Sequence, residues 1–217
     1  MTNFFEKGLF INPSLADADG LLGRYETFNL FMDVADDHAD KIGVAWKHIS
    51  PRHLFWLTVK TKIVFEERPR MGDTVTLRTW VEEPGRLRGD RSYEMLAGDR
   101  VLIRGKTEWA ALNTETGNLV PISEVYPDGL DYSRPSACPE GFTRVRDRFE
   151  ESDRYATYTV RSTDIDLGQH MNNAKYVQAL LGTFSSAELK ALDPKSFDVI
   201  FRSSVYESDV PDFYRQA

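Results

Sequence analysis

A short polar segment around position 170 carries the residue types of this sequence that are best suited to acid–base chemistry. It contains Asp166, Gly168, His170 and the pair Asn172-Asn173, and an apolar helical stretch follows it. A carboxylate and an imidazole four positions apart are natural candidates to position or deprotonate a water molecule. The N–H groups at a helix N-terminus are unpaired and carry partial positive charge, which suits them to a carbonyl oxygen or an oxyanion. The segment therefore predicts a catalytic site at the start of a helix, with helix capping as the alternative role of the two asparagines.

This segment lies in the second of two weakly similar halves of the chain. Residues 16–19 and 28–39 align with residues 163–166 and 177–184, and residues 61–73 align with residues 197–209. The step from the second Asp of each motif to the first apolar helix position, Asp19 to Leu30 and Asp166 to Val177, is 11 residues in both halves. Such self-similarity indicates duplication of one fold unit. Because the histidine and the two asparagines occur only in the second copy, we expect that copy to carry the function.

Both copies contain a stretch whose apolar residues recur at helical spacing. These residues are Phe28, Phe31, Met32, Ala35 and Ala39 in the first copy, and Val177, Leu180, Leu181 and Phe184 in the second. Such a stripe faces a core, so we predict one helix over residues 25–41 and another that begins after an N-cap at Asn172 or Asn173. Segments of strand character cover residues 55–65, 74–81, 91–97 and 101–112. A helix followed by antiparallel strands, repeated, predicts an α+β fold in which each helix lies across a curved sheet.

The prolines indicate where the two copies are joined. Four of the ten prolines are Pro121, Pro127, Pro135 and Pro139. We therefore predict an N-terminal domain over residues 1–121, a linker over 122–153 and a C-terminal domain over 154–217. After Asp73 the first copy continues for 48 residues to Pro121, whereas only eight residues follow Asp209 in the second. An unfinished sheet would leave unpaired edges, so either the chain is truncated relative to the working protein, which we favour, or another element covers those edges.

Composition limits the classes of function. A net charge of -7 argues against general nucleic-acid binding, which needs clustered Lys and Arg. The sequence has neither a run of 18 apolar residues nor a basic N-terminus followed by an apolar run, so we expect no membrane span, no signal peptide and a cytoplasmic location. The single cysteine, Cys138, cannot form an internal disulfide, and the four histidines show no metal-ligand spacing. Two basic runs are either solvated sheet surface or a docking patch for an acidic partner: Arg86, Arg88 and Arg91, and Arg100, Arg104 and Lys106.

Residues 164–176 resemble the signature of a known family. They match the pattern D-x-D-x-N-x-H-x-N-N-x-x-Y of the acyl-acyl carrier protein thioesterases at every fixed position except the first Asn, which is Gly168 here. Further motifs of the family are matched in order by residues 69–73, Thr79-Trp80, Arg91-Ser92-Tyr93, Trp109 and residues 113–117. The resemblance covers roughly residues 10–210. It implies two tandem hotdog units, each a long helix wrapped by an antiparallel sheet, with the second unit short at its C-terminus. It also implies hydrolysis of fatty acyl thioesters of acyl carrier protein, with release of free fatty acid.

The resemblance further implies roles for individual residues. Asp166 and His170 match catalytic positions of the family, whereas the catalytic Asn falls on Gly168 and the catalytic Glu falls near Ser204. Glycine lets a backbone N–H approach the thioester in place of the missing amide, so Gly168 and Asn172 join Asp166 and His170 as catalytic candidates.

An acyl chain is expected to lie in an apolar tunnel along the first helix. Phe28, Phe31 and Met32 are the candidate lining residues, with core packing as their alternative role, and Asn173 completes the substrate-binding set. Each buried methylene of the chain contributes about 0.8 kcal/mol, so the depth of the tunnel would set the preferred chain length.

The expected partner is acyl carrier protein that carries a fatty acyl chain, and a homodimer is the candidate assembly. We expect no cofactor, no metal ion, no nucleic acid and no membrane. Two alternative functions stay open. One is a coenzyme A thioesterase or dehydratase of the same general fold, and the other is a catalytically weakened acyl-binding protein, which Gly168 and Ser204 motivate.

Overall fold

A computed structural model of the chain describes residues 2–145 and 148–216. Its strands are β1 (Phe5–Phe10), β2 (Leu54–Phe65), β3 (Thr74–Val81), β4 (Gly89–Ala97), β5 (Arg100–Asn113), β6 (Leu119–Val120), β7 (Arg154–Thr157), β8 (Ser196–Ile200) and β9 (Asp212–Tyr214). Its helices are α1 (Arg24–Lys41), α2 (Trp46–Ile49), α3 (Asn173–Leu181) and α4 (Ser186–Leu192). The chain divides into two compact units, the first running to Thr143 and including Lys195–Ile200, the second formed by the remaining residues. Within the two described ranges, no helix is long and apolar enough to cross a membrane.

The first unit is an antiparallel sheet with α1 packed across one face. The strand order is β1-β3-β4-β5-β2-β8, and the short β6 pairs with β5 beside this path. The α+β class, the first helix and the four strands predicted in this half are confirmed, each end lying within two residues of the prediction. Strand β1 was not predicted, because its sequence Phe-Glu-Lys-Gly-Leu-Phe has no β-branched residue and a glycine near its centre.

Helix α1 buries an aromatic and apolar stripe against the inner face of this sheet. The ring of Phe31 stacks on that of Tyr93 with 4.8 Å between centroids. Gly105 makes room for this contact, since a Cβ at that position would lie 2.7 Å from Cε2 of Phe31. Near the other end of the helix, Arg91 donates from Nη1 to Nδ1 of His38 at 2.8 Å. Burial, and then the charge of Arg91, lower the pKa of His38 to about 3, so this buried imidazole stays neutral.

Most of the predicted linker packs on the first unit. Ile122, Val125, Tyr126 and Leu130 are buried in a hydrophobic cluster of that unit. The segment then crosses the outer face of the sheet, where the N–H of Ala137 donates to the hydroxyl of Ser92 at 2.9 Å. Residues 122–143 therefore belong to the first unit by their contacts. The division into domains at 121 and 154 stays a prediction.

The second unit is small, as the predicted shortness of this half implies. It contains α3, α4 and a two-stranded sheet of β7 and β9, around a cluster of Val160, Met171 and Ala179. Its main helix has only nine residues and ends before Phe184, the last residue of the predicted stripe. The strand expected at 197–201 is present as β8, but it pairs with β2 in the sheet of the first unit.

Candidate active site

The active-site turn, residues 165–171, joins a short 3-10 turn to helix α3. The N–H of Asp166 donates to the carbonyl of His170 at 3.1 Å, and the N–H of Gln169 donates back to the carbonyl of Asp166 at 3.0 Å. Gln169 adopts the left-handed conformation that this tight turn requires, with φ of 61°. Ile165 and Met171 close the turn through an antiparallel bridge. The turn therefore brings the backbone of His170 next to that of Asp166.

The carboxylate of Asp166 is held at both oxygens. The N–H of Gly168 donates to Oδ1 at 2.8 Å, and Nδ2 of Asn172 donates to Oδ2 at 3.2 Å. The side chain of Asn172 also caps helix α3, because its Oδ1 accepts the N–H of Ala174 at 2.9 Å. Asn172, and not Asn173, is thus the N-cap, and a single amide both starts the helix and orients the acid.

Gly168 lies close to both the acid and the imidazole. A Cβ at this position would lie 2.8 Å from Nε2 of His170 and 3.1 Å from Oδ1 of Asp166. Both atoms therefore lie close to Gly168, and any side chain on residue 168 would displace the imidazole ring. Both residues are half-buried and so remain accessible to solvent.

The orientation of the imidazole suits a general base. Nδ1 of His170 lies 3.3 Å from the carbonyl oxygen of Met171. With the proton on Nδ1, this contact is a hydrogen bond donated to the carbonyl, and Nε2 then carries the free lone pair.

Two tyrosine hydroxyl groups form hydrogen bonds with Asp164 and Val205, which lie beside the active-site turn. The hydroxyl of Tyr158 donates to the buried carboxylate of Asp164 at 2.8 Å, and the carbonyl of Asp164 accepts the N–H of Asn172 at 2.8 Å. The hydroxyl of Tyr176 accepts the N–H of Val205 at 3.1 Å. Sequence reasoning missed both supporting roles. Tyr176 is the last residue of the family signature and could have been found there, whereas nothing in the sequence singles out Tyr158.

The position where the family has its Glu lies beside the turn. Ser204 directly precedes Val205, whose carbonyl accepts the N–H of Met171 at 2.8 Å. Ser204 is exposed, and Glu207 is exposed at the tip of the next turn. The active-site turn therefore has an acid and an imidazole but neither the Asn nor the Glu side chain that the family resemblance leads one to expect.

The other predicted site residues lie on two different helices. Phe28 and Phe31 are buried on α1, and the ring of Phe28 meets that of Phe197 edge-on at 6.0 Å. Met32 on α1 and Asn173, the first residue of α3, are half-buried. These contacts of Phe28 and Phe31 are core packing of the first unit, and the roles of all four in binding a substrate stay predictions.

The two basic runs do not form a continuous free patch. Arg91 and Lys106 are buried, and Lys106 pairs with Glu82 and Asp90. Arg100 and Arg104 are likewise engaged in ion pairs on the sheet surface. Arg86 and Arg88 are exposed. Most of these residues thus stabilise the sheet, which favours the structural reading of the runs.

Cysteine chemistry and metal binding find no support in the described part of the chain. Cys138 is buried, and burial raises the pKa of its thiol to about 11, so the nucleophilic thiolate is disfavoured. No group of three or more His, Cys, Asp or Glu in the described residues could hold a metal ion.

Comparison with known families gives two matches that together cover most of the chain. Residues 9–129 match the acyl-ACP thioesterase N-terminal domain, and residues 148–214 match the acyl-ACP thioesterase C-terminal domain. The chain is 24% identical over 202 residues to oleoyl-acyl carrier protein thioesterase 1 of Arabidopsis thaliana, covering 85% of this chain and 56% of the relative. It is 28% identical over 196 residues to dodecanoyl-[acyl-carrier-protein] hydrolase of Cinnamomum camphora, covering 80% of this chain and 49% of the relative. The chain thus spans about half the length of these plant relatives.

Solved structures agree on the fold. An acyl-ACP thioesterase from Bacteroides thetaiotaomicron matches with a TM-score of 0.79 at 21% identity, over 98% of this chain and 86% of that one. The 12:0-ACP thioesterase from Umbellularia californica matches with a TM-score of 0.77 at 20% identity, over 95% of this chain and 80% of that one. By contrast, a DHNA-CoA thioesterase from Staphylococcus aureus covers only 59% of this chain, with a TM-score of 0.52.

These matches confirm the predicted tandem hotdog fold class, with a short second half. They also do not favour the coenzyme A alternative, because the carrier-protein family accounts for both halves of the chain. The chain belongs to the acyl-ACP thioesterase family.

Proposed function

We propose that this protein hydrolyses fatty acyl thioesters of acyl carrier protein and releases free fatty acid. The observation that carries the proposal is the placement of His170 and Asp166 on one turn before the N-terminus of α3, with Nε2 of His170 and Oδ1 of Asp166 both close to Gly168. Family membership supplies the class of substrate. An acid, an imidazole and a helix terminus on one turn support the proposal, because these are the groups that hydrolysis of an acyl group uses.

In the proposed reaction His170 acts as the general base. Nε2 takes a proton from a water molecule as the water oxygen bonds to the thioester carbonyl carbon, and Asp166 orients the water and stabilises the imidazolium. The carbon–sulfur bond then breaks, the carbonyl re-forms as a carboxylic acid, and the imidazolium returns its proton to the departing thiolate of the carrier.

Helix α3 provides the proposed oxyanion donor. The side chain of Asn172 takes the N–H of Ala174, and its carbonyl takes the N–H of Lys175 at 2.8 Å. We assign the N–H of Asn173, at the first position of the helix, to the carbonyl oxygen on which charge develops.

The acyl chain and its carrier complete the proposal. We place the chain along α1, against Phe28, Phe31 and Met32, and we propose a cytoplasmic enzyme without nucleic-acid or membrane partners. A homodimer is the assembly that sedimentation measurements should test. Because the Asn and Glu side chains of the family pattern are replaced by Gly168 and Ser204, we expect turnover below that of relatives with the full set.

The decisive experiment is a time course with a panel of acyl carrier protein thioesters and the variant His170→Ala. We expect the rate to fall about 10²- to 10⁴-fold, because general base catalysis is lost, while the circular dichroism spectrum is unchanged. His48→Ala is the matched control, since His48 is an exposed histidine whose Nε2 lies 2.8 Å from Oδ1 of Asp40 at the surface. Equal rates for the His170 variant and the parent would remove His170 from the mechanism. An acyl-coenzyme A competitor in the same assay tests which carrier is used.

A further inference from the structure

The equivalent strands of the two halves, β2 and β8, lie side by side. The internal repeat aligns residues 61–65 with residues 197–201. The structure supports this alignment, because the carbonyls of Pro69 and Val205, which it makes equivalent, each accept a backbone N–H at 2.8 Å from the turn before the main helix of their own half. Strands β2 and β8 are antiparallel neighbours in the sheet of the first unit.

Their register obeys a local two-fold symmetry. Lys62 is opposite Asp198, and these two residues are also equivalent in the repeat. The flanking pairs, Thr61 with Val199 and Ile63 with Phe197, exchange with one another when the two strands are exchanged. The pairing axis therefore passes through the Lys62–Asp198 pair.

The axial position carries a nearly buried ion pair. Nζ of Lys62 lies 3.0 Å from Oδ2 of Asp198, and the two side chains are only 8% and 14% exposed. Thr143 donates to the same carboxylate from its N–H at 3.0 Å and from its hydroxyl at 2.9 Å. Charged groups this well buried are tolerated only with a partner of opposite charge.

A two-fold axis through identical strands would place a residue opposite itself. A pair of β2 strands from two chains would bring Lys62 against Lys62, and a pair of β8 strands would bring Asp198 against Asp198. The flanking pairs consist of apolar residues and one threonine, so they accept either partner. We propose that Lys62 and Asp198 are a pairing code that directs β2 to β8 and opposes the pairing of either strand with its own copy from a second chain.

The partner that this surface fits is therefore a strand with an acidic residue at the axial position. An edge strand of β2's length is otherwise a template for association between chains. The duplicated sequence makes the wrong partner similar in shape to the right one, so charge is the property that separates them. This inference does not depend on the proposed hydrolase activity.

The test uses the full-length chain and two single variants, Lys62→Asp and Asp198→Lys. Each variant alone has like charges on the axis, so we expect a lower urea midpoint for both. When the two variants are refolded together, attraction exists only between chains, and we expect a strand-exchanged heterodimer at least tenfold more abundant than either homodimer. Native mass spectrometry with one variant isotopically labelled measures this ratio. A heterodimer no more abundant than the homodimers would overturn the proposal.

The double variant Lys62→Asp/Asp198→Lys separates pairing from general damage. We expect it to form no strand-exchanged dimer and to recover at least half of the midpoint loss of the single variants; no recovery would contradict the code. Should a single variant fail to fold, the neutral pair Lys62→Met/Asp198→Leu gives the same answer. This variant keeps two strands that can pair but removes the charges that distinguish the correct partner strand from a strand's own copy. Refolding at high concentration should therefore yield several-fold more homodimer than the parent does. A homodimer fraction no larger than that of the parent would contradict the proposal.

Thr143→Val, which removes one hydrogen bond to Asp198 without changing the axial charges, should leave partner choice unaltered.

Discussion

The active-site turn has a counterpart in the first half, the first-half turn at residues 16–22, and the two share one backbone. In both, an Asp N–H donates to the carbonyl four residues later, from Asp17 to Leu21 at 2.8 Å and from Asp166 to His170 at 3.1 Å. Both turns are closed by an antiparallel bridge between their end residues. The backbone that presents the proposed catalytic acid in one half therefore exists in the other, where Leu21 stands in place of the histidine.

The two acids differ in what faces them. In the first-half turn the guanidinium of Arg68, only 9% exposed, forms an ion pair with Asp17. The repeat makes Ser204 the counterpart of Arg68, and Asp166 is held by the amide of Asn172. The acid of the first half is thus paired with a cation, whereas that of the second half accepts hydrogen bonds from an amide and a backbone N–H. The two turns also differ at two equivalent positions: Ser204 stands in place of Arg68, and His170 stands in place of Leu21.

Replacing each acid by its amide should give the largest difference in kcat/KM between the two turns. We expect Asp166→Asn to lower kcat/KM about 10²- to 10⁴-fold, because orientation of the water and stabilisation of the imidazolium are both lost. The matched variant Asp17→Asn should change kcat/KM less than about twofold. Initial rates on one acyl carrier protein thioester measure both. Similar losses in the two variants would mean that the turns differ less than the geometry indicates.

Adding a single methyl group at Gly168 should give the next largest effect. The new Cβ in Gly168→Ala would lie 2.8 Å from Nε2 of His170 in the present arrangement, so the ring must swing away. We expect kcat/KM to fall about 10- to 10²-fold, since small displacements of a catalytic group are costly. Asp19→Ala, at the same position of the first-half turn, serves as the control and should keep its activity. Activity equal to the parent in the glycine variant would show that the approach of acid and imidazole is not needed.

Removing Arg68 should expose the structural role of the first-half turn. In Arg68→Met the carboxylate of Asp17 loses its cation in a partly buried place, and we expect the free energy of unfolding to fall by about 1–3 kcal/mol. Burial alone raises the pKa of Asp17, but hydrogen bonds from Arg68 and from two backbone N–H groups hold it below its ordinary value of 3.8. Because the folded pKa is depressed, this stabilisation is present above about pH 4 and is lost as the pH falls further.

Urea unfolding between pH 3 and pH 7 measures this prediction. The parent should lose the contribution of Asp17 only at the acidic end of the range, whereas Arg68→Met should be destabilised across the neutral range as well. Parallel curves with no offset would show that the ion pair contributes nothing to stability.

Periodicity predicted the first unit well, because its elements are long and their apolar residues decide both type and position. Helix α1 and strands β2 to β5 each bury a continuous stripe or face, so their patterns are strong. The short elements were harder. Strand β8 has only five residues, and its pairing with β2 joins segments far apart in the chain, so the periodicity of either segment alone does not predict it.

The sequence predicted the residue types of the candidate site but not all of its geometry. The spacing of Asp166 and His170 predicted a shared site, and the structure places both side chains close to Gly168; their catalytic roles stay predictions. The alignment of Asp19 with Asp166 was wrong by two residues, because hydrogen bonds make Asp17 the counterpart of Asp166. Counting from an Asp to a helix stripe cannot detect this shift, since both motifs contain two Asp residues separated by one. The support from Tyr158 depends on tertiary contact and carries no signal in the sequence.

The N-caps of the two helices give the smallest predicted difference. Gly23 caps α1 without a side-chain hydrogen bond, whereas Asn172 caps α3 and also donates to Asp166. We expect Asn172→Ala to cost about 1 kcal/mol of unfolding free energy, as the loss of an N-cap typically does. Asn172→Ser should lower the free energy of unfolding by only about a few tenths of a kcal/mol, since serine also caps well. Both variants lack the amide donor to Asp166, so both should lose activity to a similar degree. Thermal unfolding and initial rates together measure this split, and activity that follows stability instead would reduce Asn172 to a helix cap, as Gly23 is in the first half.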